Sequence, residues 1–263
     1  MAGTPGRRIA GAIDAPARGR HGSAMDPLSF STPVILAGGG TLDPGALARA
    51  EAALLAAGLT APDAPAPIVA ADGAADALDR LGREPVAVIG DLDSLSDPAA
   101  WAARGVAIHR VAEQDTTDFE KCLALTEAPL YLGVGFTGRR LDHALSVLNT
   151  MATRPASRVV LVSPYETVLH APAGRVHRLA VGSGAAVSIF PLKPVRCGPS
   201  RGLVWPLDGL VLAPGGLGGG VIGTSNRSDA GEIELDFRDD GAILLLEPAA
   251  LQSAIACVLA ARH

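Results

Sequence analysis

The sequence predicts an α/β fold in two parts, an N-terminal α/β domain built on a parallel sheet and a C-terminal antiparallel β-sandwich domain. Two observations support this prediction. In residues 31–164, short apolar runs alternate with helix-like segments, which is the pattern of βαβ units. In residues 165–263, helical periodicity is absent until the last turns of the chain, and strand-like runs are separated by Gly and Pro.

The strands predicted for the first domain are short, rich in β-branched residues, and end near Gly, Asp or Ser. They lie at residues 34–37, 68–71, 86–89, 106–111, 130–134 and 159–162. Helices are predicted between them at residues 44–57, 74–81 and 118–125. Because the strands are continuously apolar, we expect a sheet that is covered on both faces.

The second domain is predicted to start near residue 164. Its strands are predicted at residues 167–170, 176–179, 185–190, 209–212, 232–237 and 243–246, before a closing helix at residues 249–261. Residues 1–30 are predicted to be a disordered tail, since arginines are scattered there among Gly, Ala and Pro. The sequence leaves open whether the start is Met1 or Met25.

Composition narrows the function classes. The chain has 263 residues, a formal net charge of -5 and 48% hydrophobic residues, enough for a sizeable core. The acidic balance argues against a nucleic-acid partner, which would require a basic surface. No apolar run approaches the ~20 residues of a membrane span, and no apolar signal-peptide core follows the first arginines. Three distant cysteines favour a reducing compartment, so we expect a cytoplasmic protein.

Acidic residues occur where the predicted strands of the first domain end. Ligands bind beyond the carboxyl ends of the strands in open parallel sheets, so these loops are predicted to form one charged rim. The acidic residues after three consecutive strands are Asp72, Asp91, Asp93, Asp115 and Asp118, and a fourth strand is followed by Arg139, Arg140, Asp142 and His143.

Asp91 and Asp93 lie two residues apart on one tight loop, where their charges repel unless a cation lies between them. Magnesium is the natural candidate, because it takes hard oxygen ligands together with substrate phosphates. The competing interpretation is helix capping, since an Asp after a strand is often the N-cap of the next helix. Asp118 is the clearest candidate for such a cap.

Basic residues near the same rim have two interpretations each. Lys121 follows Asp118 by three residues, which predicts either a phosphate ligand beside a metal ligand or a surface ion pair. The glycine-rich segment 135–140 predicts a loop that brings arginine to an anion. His143 beside Asp142 is either an acid–base pair or a histidine at a helix start. Segment 38–40 is three glycines but not a Walker A loop, because no Gly-Lys-Ser/Thr follows.

Four motifs in this order resemble the thiamine pyrophosphokinase family. They are Ala71-Asp72-Gly73-Ala74, Gly90-Asp91-Leu92-Asp93-Ser94, Gln114-Asp115-Thr116-Thr117-Asp118-Phe119-Glu120-Lys121 and Gly138-Arg139-Arg140-Leu141-Asp142-His143. Segments 202–207 and 223–226 are similar to the family's Trp-containing strand and Ser-Asn turn. Three positions depart from the family pattern: Ala74 and Arg139 replace glycines, and Glu113 stands where Asp is more frequent.

The resemblance implies roles for individual residues. Asp91, Asp93 and Asp118 match magnesium positions with Asp72 close by, and these four together with Asp142 form the implied catalytic group. The implied ATP contacts are Thr117, Lys121 and one of Arg139 and Arg140. The implied thiamine contacts are Gln114, Trp205, Ser225 and Asn226, with the Trp205 ring stacked on the substrate. Asp72 and Asp142 are the two candidates for accepting the hydroxyl proton.

The resemblance also implies an activity, the Mg²⁺-dependent transfer of a pyrophosphoryl group from ATP to the hydroxyethyl oxygen of thiamine. It implies a homodimer with active sites at the subunit interface, and no nucleic-acid or membrane partner. Two alternatives stay open at this point. One is another magnesium-dependent nucleotide transferase, recognised by ADP or UDP as product in place of AMP. The other is a non-catalytic sensor of thiamine or a nucleotide, recognised by stabilisation without turnover.

Overall fold

A ten-stranded mixed sheet runs through the structure, a computed structural model that describes residues 26–138 and 140–260. The strands of the first half are β1 (Leu28–Ser29), β2 (Val34–Ala37), β3 (Ile68–Ala71), β4 (Ala87–Gly90), β5 (Ala107–Arg110), β6 (Thr126–Glu127), β7 (Tyr131–Val134) and β8 (Val159–Val162). The helices of this half are α1 (Pro44–Ala56), α2 (Ala74–Arg80), α3 (Pro98–Ala103), α4 (Asp118–Leu125) and α5 (Leu141–Thr153).

Over residues 165–260, the described part of the second half, there are eight strands and one α-helix. The strands are β9 (Thr167–Ala171), β10 (Val176–Gly182), β11 (Ala186–Pro191), β12 (Val195–Arg201), β13 (Val211–Leu212), β14 (Gly223–Arg227), β15 (Gly231–Phe237) and β16 (Ala242–Leu246). Helix α6 (Leu251–Leu259) follows them, and short 3₁₀ turns occupy Pro155–Ser157, Pro214–Gly219 and Pro248–Ala250.

The large sheet has the order β14-β11-β16-β9-β8-β7-β2-β3-β4-β5. All neighbours from β8 to β5 are parallel, and all neighbours from β14 to β8 are antiparallel. A second, four-stranded sheet has the antiparallel order β10-β15-β12-β13. The predicted mixture of a parallel α/β part and an antiparallel part is therefore confirmed.

The junction of the two parts is a pair of hydrogen-bonded strands. The predicted domain boundary near residue 164 falls in the turn between β8 and β9, which pair directly, with Val160 opposite Leu169. The two halves thus share one sheet, and their division into separate domains stays a prediction. The predicted disordered tail, residues 1–30, overlaps β1, which pairs with β6, so strand structure begins within that segment; residues 1–25 lie outside the described residues.

The core lies on both faces of the parallel strands. Along β2, Ile35 and Ala37 face a cluster with α1, α2 and α6, while Val34 and Leu36 face a cluster with α4 and α5. This alternation follows from the two-residue period of a strand. Helices therefore cover both faces of the parallel strands, as the sequence predicted. Within the described residues, no helix has the length and apolar character needed to cross a bilayer.

Candidate active site

A cleft of about 610 Å³ is enclosed by the loops after β2, β3 and β7, together with the first residues of α4. The chain runs from β2 to β5 on one side of β2 and returns to β7 on its other side, so the strand order reverses between β2 and β7. Open α/β sheets bind ligands at this reversal, outside the carboxyl ends of the strands. The cleft therefore lies where the fold itself creates a crevice.

Three carboxylates converge at the edge of this cleft. Asp72, Asp91 and Asp93 each offer one oxygen, and these oxygens all lie within 4.8 Å of one another. Asp72 is buried; its Oδ2 accepts from the backbone N–H of Ser94 at 3.2 Å, and its Oδ1 is buried with no hydrogen-bond partner in the described residues. A buried carboxylate oxygen without a donor is suited to a cation.

Two left-handed residues shape these loops. Asp72 has φ 47° and Leu92 has φ 66°, a conformation that is costly for residues other than glycine. The turn at Leu92 lets the backbone N–H of Asp93 donate to Asp91 Oδ1 at 3.3 Å. Gly90 is required for the approach of the two loops, since a Cβ there would lie 2.8 Å from the Cβ of Asp72.

Burial and mutual repulsion disturb the ionisation of this group. Burial, with smaller contributions from Asp118, Asp91 and Asp93, raises the pKa of Asp72 to about 6. The opposite shift occurs at Asp91, where a hydrogen bond from Gln114 Nε2 to Oδ2 at 2.6 Å lowers the pKa of the carboxyl. Gln114 is thus part of the carboxylate site in this chain.

Asp118 and Lys121 lie on the first turn of α4, where Asp118 lines the same cleft. The N-cap of α4 is Thr117, whose Oγ1 accepts from Glu120 N while Glu120 Oε2 accepts from Thr117 N at 3.0 Å. The carboxylate of Asp118 is therefore not the cap and instead accepts from Lys121 Nζ at 3.5 Å. Asp118 lies outside the group of three within 4.8 Å, although burial, with Asp91 and Asp93, raises its pKa.

The capping interpretation does not explain the other strand-end carboxylates either. Helix α2 begins at Gly73 without a side-chain cap, and α3 is capped by Asp97, which accepts from Ala99 N and Ala100 N. Lys121 does pair with Asp118, but the pair is not a surface one, because the Lys121 side chain is 3% exposed. Its buried ammonium lies beside the carboxylate of Asp118, which lines the cleft.

The arginine loop after β7 contributes one described cation. Arg140 lines the cleft and donates to Asp142 Oδ2 at 2.6 Å and to Oδ1 at 3.2 Å. This pair lowers the pKa of Asp142 to about 2. Arg139 lies outside the described residues. His143 is exposed on the first turn of α5 and also lines the cleft.

The predicted thiamine contacts of the second half lie together but apart from the cleft. Asn226 is buried and holds the backbone of Trp205: its Nδ2 donates to Trp205 O at 2.7 Å, and its Oδ1 accepts from Trp205 N at 3.2 Å. Trp205 itself is 56% exposed to solvent. Ser225 has φ 63° at a bulge in β14, where its N–H donates to Ser188 Oγ at 3.0 Å.

These two sets of residues lie near opposite edges of the large sheet. Strand β14 is the outermost strand on one side, and β3 is seven strands away from it. With neighbouring strands spaced by ~4.8 Å, the separation is roughly 34 Å. One chain therefore does not bring Trp205, Ser225 and Asn226 to its own carboxylates.

The cleft also contains residues that the sequence reasoning missed. Arg80 lines it from the last turn of α2, as does Ala77 one turn earlier. The available indication was spacing: Ala74, Ala77 and Arg80, all after Asp72, are three residues apart from one another and share one helix face. Ser94 was also missed, and its Oγ donates to Asp93 Oδ1 at 2.9 Å. Gly39 and Gly40, of the three-glycine segment after β2, also line the cleft.

The chain is similar to known proteins over the same region. Residues 63–161 match the family model of the thiamin pyrophosphokinase catalytic domain. The chain is 28% identical over 163 residues to thiamine pyrophosphokinase 3 of Oryza sativa subsp. japonica, and 27% identical over 173 residues to thiamine pyrophosphokinase 1 of Arabidopsis thaliana. These matches span 56% and 60% of this chain and only 60% and 63% of the two relatives.

Solved structures share the fold over a longer stretch. The yeast thiamin pyrophosphokinase structure superimposes with a TM-score of 0.64 at 18% identity, covering 91% of this chain and 98% of that one. The structure from Geobacillus thermodenitrificans has a TM-score of 0.62 at 22% identity, covering 82% and 97%. The segment that carries the carboxylate site is thus similar to the catalytic domain of thiamin pyrophosphokinases, and the whole chain shares their fold.

Proposed function

We propose that this protein is a thiamine pyrophosphokinase, which transfers the pyrophosphoryl group of ATP to the hydroxyethyl oxygen of thiamine. The observation that carries the proposal is the convergence of Asp72, Asp91 and Asp93 within 4.8 Å at the edge of a cleft lined by Asp118, which pairs with buried Lys121. Such a group of carboxylates with a nearby cation suits a triphosphate held through a divalent ion.

The residues present fit a bound Mg²⁺. Asp72 Oδ1 is buried without a donor, and three like charges lie close enough to share one ion. Asp72, Asp91 and Asp93 would hold the ion, with Asp118 on the adjacent helix turn. When bound, the ion supplies neutralisation of the phosphate charge.

The chain's own cations would bind the rest of the triphosphate. Lys121 is fixed by burial beside Asp118, and Arg140 extends from the loop after β7 into the cleft. Pyrophosphoryl transfer depends mainly on positioning and charge stabilisation, which such fixed groups provide. In the reaction, the thiamine oxygen forms a bond to the β-phosphorus, and the bond to the oxygen of AMP breaks.

The hydroxyl proton of thiamine must pass to an acceptor. Asp142 is a weak acceptor, because its hydrogen-bonded pair with Arg140 lowers its pKa to about 2. Of the two candidates this leaves Asp72, whose Oδ1 would hold the ion and whose Oδ2, beside the Ser94 N–H, would take the proton. Gln114, which donates to Asp91, would contact the thiamine beside the carboxylates.

We further propose that the working unit is a homodimer, since Trp205, Ser225 and Asn226 lie about seven strands from the carboxylates of their own chain. A second copy would bring these residues to the cleft. An exposed apolar surface supports this assembly: Leu141 and Leu145 of α5 are 73% and 48% exposed, and Tyr165 is 82% exposed beside a groove of about 370 Å³. Apolar surfaces of this kind mark protein interfaces.

The test of the activity is incubation with ATP, magnesium and thiamine, followed by measurement of nucleotides and thiamine esters. We expect AMP and thiamine diphosphate in equal amounts. ADP as the nucleotide product would contradict pyrophosphoryl transfer, and stabilisation by thiamine without any AMP would indicate a sensor.

The test of the site is Asp93→Asn, with Asp63→Asn as the matched control because Asp63 is exposed and distant from the cleft. We expect D93N to lose at least about a hundredfold in turnover, with an unchanged circular dichroism spectrum, and D63N to behave as the unmodified protein. Near-normal turnover of D93N would remove the metal assignment.

A further inference from the structure

A second cavity, of about 250 Å³, lies at the opposite end of the parallel strands from the carboxylate cleft. It is enclosed by the end of α5, the start of β8, the turn before β10 and the end of α6. Its polar lining is basic: Arg154, Arg158 and Arg175, together with His170. No Asp or Glu lines it among the described residues, in a chain whose net charge is -5.

The guanidinium groups of this cavity are short of partners. In the described part of the chain, the side chains of Arg154 and Arg158 make no hydrogen bond or ion pair, and none of the three arginines forms a salt bridge. Arg175 donates from Nη1 to the carbonyl of Ala260 at 3.0 Å, while its buried Nε has no acceptor. Unpaired guanidinium donors around one cavity favour an anion.

The backbone holds one of these arginines in a costly conformation. Arg158 has φ 48°, a left-handed geometry in which glycine is the favoured residue. Its carbonyl accepts from the N–H of Tyr131 at 3.1 Å, so the pairing of β7 and β8 fixes this geometry. An arginine there directs a cation to the cavity mouth, which a glycine would not do.

The attraction of cations to the C-terminal carbonyls of a helix accounts for only part of this arginine cluster. Cations are favourable near the last carbonyls of a helix, and Arg175 does contact the end of α6. Arg154 follows α5 directly, but its side chain donates to none of the described carbonyls, and Arg158 lies beyond the 3₁₀ turn. Two of the three positive charges therefore remain available to a ligand.

We propose that this cavity binds a small phosphorylated anion, with Arg154, Arg158 and Arg175 contacting its phosphoryl oxygens. A guanidinium fork matches phosphate oxygens bidentately, and three such groups suit a multiply charged anion better than a single carboxylate. This site is separate from the carboxylate cleft and does not depend on the proposed transferase activity.

The test is calorimetric titration of the full chain with inorganic pyrophosphate in EDTA, where the carboxylate cleft has no divalent ion to hold the anion. We expect binding that weakens at least about tenfold in R154Q and in R158Q. The charge-matched control is R201Q. The Arg201 side chain is 81% exposed, lies in the second sheet and has its Nε 3.9 Å from Glu234 Oε2. The R201Q variant should bind pyrophosphate as the unmodified chain does. D93N should also bind normally.

A second measurement does not depend on any variant folding. Hydrogen exchange of the unmodified chain should slow at the amides of residues 156–159 when pyrophosphate is added, and not at residues 91–94. Absence of binding at millimolar pyrophosphate would overturn the proposal, as would equal weakening in R201Q and R158Q, which would indicate general charge attraction.

Discussion

At the scale of single residues, Asp72 combines burial, a left-handed backbone and two neighbouring carboxylates. Burial, with smaller contributions from Asp118, Asp91 and Asp93, raises the pKa of Asp72 to about 6, and the left-handed backbone is a separate cost to folding. Residues under such strain are found where function requires the geometry. The position is therefore a place where stability and the proposed activity oppose each other.

We expect Asp72→Asn to stabilise the protein in EDTA at pH 7 by about 3 kcal/mol, since the pKa of Asp72 is raised from 3.8 to about 6 and one pKa unit corresponds to ~1.4 kcal/mol. The amide oxygen can still accept from Ser94, while the buried charge and its repulsion by Asp91 and Asp93 are removed. Urea denaturation measures the change. Asp63→Asn is the exposed control and should change the free energy of unfolding little; a destabilised D72N would show that the carboxylate serves the fold.

His177 gives a pH prediction away from the cleft. Its ring is buried; Nε2 lies 2.8 Å from the carbonyl of Pro172 and must donate to it, which leaves Nδ1 to accept from Cys257 Sγ at 3.7 Å. Burial lowers the pKa of His177 to about 4, with a smaller contribution of the same sign from Arg175. The folded protein therefore holds this histidine neutral.

As the pH falls below about 6.5, His177 becomes protonated in the unfolded chain but stays neutral in the folded protein. The folded state therefore loses stability from that pH down to about pH 4. The loss attributable to this residue is about 3 kcal/mol. We expect the slope of unfolding free energy against pH in this window to be shallower in H177Q, whatever its absolute stability. Exposed His143 gives the control, H143Q, which should keep the full slope; an unchanged slope in H177Q would contradict the assignment.

The sequence predicted which residues gather at the site but not how each is held. Strand-end position brought Asp72, Asp91 and Asp93 together, because the carboxyl ends of parallel strands meet at one edge. The burial of Lys121 was not predictable from its spacing to Asp118, which is the same in an exposed ion pair. Its burial depends on the packing of α4 against β3 and β4, a long-range property.

At the scale of elements, α4 is the helix that positions charge at the cleft. Thr117 and Glu120 form a reciprocal capping box directly before Asp118 and Lys121. We expect Thr117→Ala to cost about 1 kcal/mol in the free energy of unfolding, because one N-terminal N–H loses its acceptor. Turnover should fall as well, since fraying of this turn displaces both charged groups.

Thr117→Ser keeps the cap oxygen and should restore stability to within a few tenths of a kcal/mol. A second control is Thr153→Ala at the end of α5, whose hydroxyl only donates to carbonyls of its own helix, including Asn149 O at 3.0 Å. Urea denaturation and steady-state rates measure both effects. Equal loss in T117A and T117S would show that the methyl group, and not the cap, matters.

The elements that the sequence predicted well are the buried parallel strands, whose apolar runs are unbroken. Strands β12 and β14 were not predicted, since each carries a residue that interrupts the pattern. Pro199 falls at the register shift between Cys197 and Ser200, where a strand tolerates proline, and Ser225 adopts a left-handed bulge. Pairing with long-range partners stabilises both strands, and a local pattern does not contain that information.

At the scale of the whole molecule, one sheet links both halves and fixes their separation. Because β8 and β9 are paired, the carboxylate loops and the Trp205 region cannot approach each other by a hinge between domains without breaking strand pairing. The homodimer proposal follows from this rigidity: if the carboxylate loops and the Trp205 region serve one reaction, they must come from two copies of the chain. An isologous dimer would then contain two sites, each with residues of both chains.

Mixing two inactive variants tests this arrangement. D93N lacks a carboxylate of the cleft and W205A lacks the exposed ring at the other edge of the sheet. After subunit exchange, half of the dimers combine one chain of each kind, and one of their two sites is free of both substitutions. We expect recovery of about a quarter of the unmodified activity, a statistical limit set by the two-fold symmetry. If each chain used its own Trp205, every site in the mixture would carry a defect and no activity would return; mixing D93N with itself gives that baseline.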